Sequence, residues 1–389
     1  MELCPRCLGR RLVGAIGQDA QEAAAAERPT VAPADCAVCC GRWDVDAWLQ
    51  AALDALDGVE AQTFQVGTRF PAACEAAEKA AMAAINPEIG DTIRTEANRL
   101  LGPLLAEATG MELRNDARPE VVVQVDTRFW HAEATTNSVY IEGRYTKARR
   151  DMPQTHWPCK TCQGNGCYQC DDAGVMYAIS VEEAIAEPAR RLFDAPASAF
   201  HGAGREDIDA IMGGTGRPFV LELKNPTKRQ ADLAALEAEV NATAGELGVT
   251  INSMRPSSKD RVQELKAGTY DKEYVAHCEA QGDVTPEQVE AAARAMDGVM
   301  LEQRTPDRVS HRRADLVRKR RVHKMTVERF DDARHFSVRV LADSGAYIKE
   351  MVSGDEGRTT PNLAEALGVP TVVKFLDVTA ILDDAQSPS

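Results

Sequence analysis

Two kinds of side chain in this sequence could do chemistry. The first is cysteine: eight of the eleven fall in Cys-x-x-Cys pairs, Cys4/Cys7, Cys36/Cys39, Cys159/Cys162 and Cys167/Cys170. Thiolates at that spacing grip one ion from a single turn, and two pairs complete a tetrahedral zinc site. The expectation is two structural zinc sites. Two other readings stay open: the compact C-terminal pairs sharing ligands with the N-terminal ones, and redox-active thiols. A deaminase-type catalytic zinc would need a His-x-Glu beside the cysteines, and none is present. Cys40, Cys74 and Cys278 read as small, buried residues. The second kind is a carboxylate. His201–Pro226, HGAGREDIDAIMGGTGRPFVLELKNP, sets Arg205, Glu206, Asp207 and Asp209 among glycines before an alternating strand. Glycine lets backbone approach a ligand closely, and an aspartate there, two residues after an arginine, suits nucleophilic work. A solvated turn is the plain alternative.

These groups sit in a chain of 389 residues with 44% apolar content, enough for two or three domains. No apolar run is long enough to span a membrane, and MELCPRCLGRR is not a signal peptide, so a soluble cytoplasmic protein is expected. The net charge is −15, with only 12 lysines against 33 arginines, a composition suited to concentrated salt and a halophilic source. At molar salt the Debye length falls to about 3 Å, so the acidic surface does not exclude an RNA partner. Local basic clusters then matter more than the total.

Elements follow from periodicity. Trp48, Leu49, Ala52, Leu53 and Leu56 mark an amphipathic helix over 43–56. A strand is expected at TFQVG, helices at 74–85 and 90–108, and a strand over 119–126 with Val121, Val123 and Val125 on one face. Strand 138–141 leads into GRYTKARRDMPQ, where Arg144, Lys147, Arg149 and Arg150 surround Tyr145 as a candidate RNA-binding loop. Pro188 should bend or interrupt a helix before residue 193. Further helices are read over 231–247, 258–267 and 286–296, the last capped by Thr285. The tract 308–324, RVSHRRADLVRKRRVHK, is the most basic of the chain and suits phosphate contacts. Alternation at Phe336, Val338 and Val340 and a final strand in TVVKFLDVTAIL precede a disordered tail, DDAQSPS.

Residues from about 60 to 180, ending in VDTRFWHAEATTNSVYIEGRYTKARRDMPQ, resemble a THUMP domain, an RNA-binding module of tRNA-modifying enzymes. HGAGREDID with GGTGRPFVLELKNP, then RTPDRVSHRRADLVRKR, then GAYIKEMVSGDEGRTTPNLAEALG resemble the archaeal tRNA pseudouridine synthases acting at positions 54 and 55 of the T loop. The resemblance implies an α+β protein in three parts: a zinc-knuckle region at 1–58, a THUMP-like domain with the second cysteine cluster at 59–180, and a catalytic domain of mixed, mostly antiparallel sheet at 181–389. It implies that Asp207 is the nucleophile and Arg205 its partner. Tyr347 stacks on the target base, Lys349 lies near the aspartate, and Tyr270 matches a second tyrosine, although Gly268-Thr269 stands where a lysine is usual. No cofactor is implied for the chemistry, tRNA is the partner, and a monomer is expected.

Two rival readings stand beside it. A tRNA methyltransferase or sulfur-transfer enzyme would show a Rossmann-type or phosphate-binding glycine loop, whereas this loop carries a charged triplet into a strand. The other rival is a THUMP-bearing tRNA-binding factor without catalysis.

Overall fold

The computed structural model describes residues 2–115, 118–310 and 314–382. The expected disordered tail at 383–389 lies outside the described residues, as does the 311–313 part of the basic tract. Two compact units emerge, Met1–Ser138 with Phe193–Pro196 and Lys224–Gln230, and Val139–Leu192 with Ala197–Leu223 and Ala231–Ser389.

The first unit runs α1 (Pro5–Val13), α2 (Gln18–Ala25), α3 (Val45–Leu56), β1 (Thr63–Arg69), α4 (Ala72–Ile85), α5 (Ile93–Thr109), β2 (Glu112–Leu113), β3 (Val121–Asp126) and β4 (His131–Thr136). Its sheet has the order β2-β1-β3-β4, parallel except for the β3–β4 hairpin. Val121, Val123 and Val125 all face inward, as their alternation requires. Asp44 caps α3 by accepting from the Ala47 amide at 3.0 Å. That start angle sends Trp48 into the core, edge-on to Trp43 and Phe70 at 5.1 and 5.8 Å.

Arg10 is fully buried and ties α1 to two other helices, bonding Glu96 at 2.8 Å and Glu78 at 3.2 Å. Glu78 also accepts from the Ile93 amide at 2.7 Å, at the first residue of α5.

The second unit contains β5 (Val139–Lys147), α6 (Val181–Phe193), β6 (Ala197–Gly202), β7 (Met212–Lys224), α7 (Leu233–Ala244), β8 (Val249–Ser257), α8 (Lys259–Ala267), β9 (Asp271–Ala280) and α9 (Pro286–Met296). It continues through β10 (Met300–Arg304), α10 (Asp307–Ser310), β11 (Val317–Phe330), β12 (His335–Ala342), α11 (Ile348–Ser353), β13 (Thr359–Thr360), α12 (Leu363–Leu367) and β14 (Thr371–Leu382). Its ten-stranded sheet runs β13-β10-β11-β12-β9-β14-β7-β5-β8, with β6 on β7. Neighbours along that path are antiparallel except β14 and β7. The expected α+β class with a mostly antiparallel sheet is what forms.

Three local expectations change. The division between units falls after Ser138 rather than at 58 and 180, because β5 pairs between β7 and β8 in the large sheet. The 144–147 part of the candidate RNA-binding loop is therefore strand, with Tyr145 and Lys147 fully buried. α6 runs uninterrupted through Pro188, its buried face of Val181, Ile185, Ala189 and Phe193 outweighing one missing N–H. Thr285 caps α9 as expected, in a reciprocal box with Gln288.

Arg10→Met should leave the buried Glu78 without its ion-pair partner and Glu96 with Arg6 alone. It is expected to cost about 3–5 kcal/mol of stability, read as a lower denaturant midpoint in molar KCl; an unchanged midpoint would show that Glu78 and Glu96 do not depend on this cation.

Candidate active site

The loop between β6 and β7 carries Asp207, and side chains distant in sequence fasten it by its backbone. Arg217 donates to the Ala203 carbonyl at 2.7 Å and Gln154 to the Gly204 carbonyl at 3.1 Å. Lys147 donates to the Ile208 carbonyl at 2.9 Å and Arg150 to the Asp209 carbonyl at 3.0 Å. The Ala210 amide closes a turn on the Asp207 carbonyl at 3.0 Å. Glu206 points inward, bound by Arg217 Nε at 2.8 Å and by the Tyr145 hydroxyl at 2.9 Å to each carboxylate oxygen. Burial, with the Glu206 carboxylate alongside, pushes the Tyr145 phenol well above its usual range, so it stays a donor. Burial pushes Lys147 down, opposed by Glu206, Asp209 and Asp151. Asp377 supports Arg150 with bonds of 2.6 and 2.9 Å and accepts from the Ile211 amide at 3.3 Å. Burial alone would raise the Asp377 carboxyl; Arg150 and His277 reverse this and hold it below the usual range.

With Glu206 inside, Asp207 faces out, its side chain about half exposed, toward two cations. Lys349 Nζ lies 3.5 Å from Asp207 and 3.4 Å from Asp209, so one ammonium serves both carboxylates. Arg308 Nη1 lies 3.6 Å from Asp207 while its Nε bonds the buried Glu350 at 2.7 Å. Burial disfavours the Arg308 cation, and Glu350 more than offsets it. Consecutive residues of α11 thus supply one cation directly and anchor the other.

Tyr347 precedes α11. The carboxamide of fully buried Gln303 accepts from its amide and donates to its carbonyl, both at 2.9 Å. The tyrosine is 9% exposed, and its hydroxyl has no hydrogen-bond partner among the described residues. A buried polar atom without a partner costs about 1–3 kcal/mol, which makes it a candidate for contact with a ligand.

The expected residues are therefore only partly assembled. Asp207 and Lys349 meet directly, and Tyr347 adjoins the helix bearing Lys349. Arg205 does not pair with Asp207; its guanidinium lies 5.0 Å from the Trp157 ring centroid. Tyr270 packs with Ala203, Val220, Val262 and Leu265 and lines a cavity of about 640 Å³ with Arg261 and His323. Sequence reading missed Glu206, Arg217, Gln154, Gln303 and Glu350 as positioning residues. It assigned Arg308 to phosphate, although the side chain serves Asp207 and Glu350. Arg318 is likewise engaged internally, by Thr305 at 2.6 Å, and Lys319 pairs with Glu302, while Arg321 and Lys324 are exposed on β11.

The cysteines form two separate tetrads, Cys4, Cys7, Cys36 and Cys39, and Cys159, Cys162, Cys167 and Cys170, which removes the shared-ligand alternative. Zinc–sulfur bonds of about 2.3 Å in a tetrahedron set sulfurs about 3.8 Å apart. Cys4–Cys39, Cys159–Cys167 and Cys162–Cys170 are each at 3.8 Å, and Cys167–Cys170 is at 3.7 Å, so both donor sets fit. Of the remaining cysteines, Cys74 and Cys278 are buried as expected and Cys40 is exposed.

A family model described as Pus10, C-terminal, matches residues 140–382, and one for the archaeal Pus10 THUMP domain matches 48–126. The THUMP match thus ends well short of residue 180, before β5 begins. A tRNA pseudouridine synthase Pus10 of Halorubrum lacusprofundi is 39% identical over 97% of this chain and 93% of its own. That of Archaeoglobus fulgidus is 38% identical over 98% and 100%. Among solved structures, a Cbf5-Nop10-Gar1 complex is 20% identical, covers 52% of this chain and 45% of its own, and has a TM-score of 0.33. With both units matched by its models and curated relatives aligned over nearly their full lengths, the chain belongs to the Pus10 family of tRNA pseudouridine synthases.

Proposed function

We propose that the chain isomerises uridine to pseudouridine in the T loop of tRNA, at position 55 and also at 54, with Asp207 as nucleophile. The observation that carries this reading is a half-exposed carboxylate on a loop fixed from below and flanked by two cations. Lys349 and Arg308 set two positive charges within 3.6 Å of it. The target nucleotide is flipped out of the RNA, a step costing a few kcal/mol. Asp207 assists breakage of the bond between uracil N1 and ribose C1′, through a covalent adduct or otherwise. The freed base turns and C5 bonds to C1′; the C5 hydrogen leaves to solvent and N1 gains one, so atoms balance without a cofactor. Tyr347 holds the base, with its unpartnered hydroxyl available to it. Arg205 and Tyr270 act in substrate binding at the edges of the site rather than on Asp207 itself.

Each cysteine tetrad would hold one zinc ion in a structural role; the first lies within the core of its unit, beside Leu3, Leu8 and Val38. We place the protein in the cytoplasm as a monomer acting on tRNA. Among the described residues no helix is long and apolar enough to cross a membrane.

Asp207→Asn should abolish tritium release from tRNA containing 5-tritiated uridine while leaving tRNA binding within about twofold. Retained release would move the nucleophile elsewhere, Asp209 first. Transcripts with uridine replaced singly at 54 or 55 assign the position. Elemental analysis of the purified protein should give two zinc ions per chain, one per tetrad, and Cys159→Ser with Cys162→Ser should remove one of them. A chain free of zinc would refute the structural-metal assignment.

A further inference from the structure

In the first unit, exposed aromatic rings and arginines gather at the turn joining β3 to β4. Phe129 is 71% exposed and Trp130 40%. Trp130 has φ of +53°, a left-handed conformation that a bulky side chain adopts at a cost. The turn is nevertheless held firmly. Arg42 Nη1 donates to the carbonyls of Thr127 at 3.2 Å and Arg128 at 3.1 Å. The amide and hydroxyl of Thr127 both donate to the Arg69 carbonyl at 3.0 Å. Arg128 is fixed by Asp126, 2.9 and 3.1 Å from its Nε, and its guanidinium lies 5.1 Å from the Phe129 ring centroid. Arg69 and Arg128 thus flank a single carboxylate, Asp126, and Arg42 adds a third cation at the turn's carbonyls, in a chain whose net charge is −15. Arg42 follows Cys39 by three residues, so the first cysteine tetrad also fixes the brace beneath the turn.

We propose that this turn is a stacking platform for unpaired nucleobases of the RNA substrate, an inference that rests on the tRNA reading above. An aromatic face accepts any base, and nearby arginines meet the phosphates between stacked bases. The two contributions respond differently to salt. Phosphate attraction falls as counterions compete, whereas stacking persists, which suits a protein built for concentrated salt.

The test measures binding of a fluorescein-labelled oligoadenylate by anisotropy, in dilute and in molar KCl, with a fully paired RNA duplex as comparison. Phe129→Ala with Trp130→Ala should weaken oligoadenylate binding at least about tenfold in both salts and leave duplex binding alone. Because both rings are exposed, the thermal midpoint should hold. Phe129→Tyr with Trp130→Phe, which keeps two aromatic faces, should restore binding and so separates stacking from misfolding. Unchanged binding by the alanine variant would overturn the proposal. So would a wild-type protein that binds no oligoadenylate, which would leave the rings for a protein partner. Asp207→Asn should bind the oligonucleotide like wild type. A wild type that releases no tritium, yet loses oligoadenylate binding on alanine substitution, would refute the catalytic reading and leave the platform standing.

Discussion

The ion pair between Glu206 and Arg217, 2.8 Å long with both side chains 1% exposed, is the contact on which the loop carrying Asp207 depends. Burying two charges costs several kcal/mol per ion and is offset only when the remaining donors and acceptors are met. Here they are: Tyr145 caps both oxygens of Glu206, and Arg217 spends a second donor on the Ala203 carbonyl. Because Glu206 is drawn inward, its neighbours Arg205 and Asp207 both face solvent. The pair therefore sets the direction of Asp207 without touching it. Lys147, Gln154 and Arg150 then fix the height of the loop through its carbonyls.

On the outer side the arrangement is looser. The two cations reach Asp207 at 3.5 and 3.6 Å, longer than the 2.8 Å of the buried pair. A firmly bonded base with longer outer contacts suits the proposed admission of a flipped nucleotide, since apo contacts of this kind tighten when substrate binds. Gln303 plays for Tyr347 the part that Arg217 plays for the loop, holding backbone from within the sheet.

Local features were legible in the sequence. Alternation located β3, β12 and β14, the Thr285 cap located α9, and Cys-x-x-Cys spacing located both tetrads, because each depends on residues only a few positions apart. What stayed hidden depends on closure over distance. Arg150 meets Asp377 from 227 positions away, and Lys349 meets Asp209 from 140. The Arg144–Arg150 segment was misread because charge in a short stretch suggests a solvated loop. Arg144 to Lys147 are instead central strand in β5, the polar ends of Arg144 and Lys147 consumed by carbonyls of neighbouring segments. The triplet Arg205-Glu206-Asp207 stands out in the sequence, but nothing local says which of its two carboxylates turns inward.

Concentrated salt gives these distances a further meaning. With a Debye length of about 3 Å at molar ionic strength, an exposed pair such as Arg191–Glu239 contributes little. The contacts that aim Asp207 are mostly buried or directed at carbonyls, where mobile ions do not enter, so the site's geometry is insulated from the solvent in which the acidic surface operates. The same screening removes long-range attraction for RNA, and the substrate must be held by contacts made at van der Waals distance. An arginine-rich, lysine-poor chain follows from that requirement, because a guanidinium stacks and bonds in a plane where an ammonium offers chiefly its charge. At Asp207 both kinds of cation are present: Arg308 is held by the carboxylate of Glu350, and Lys349 lies between two aspartates.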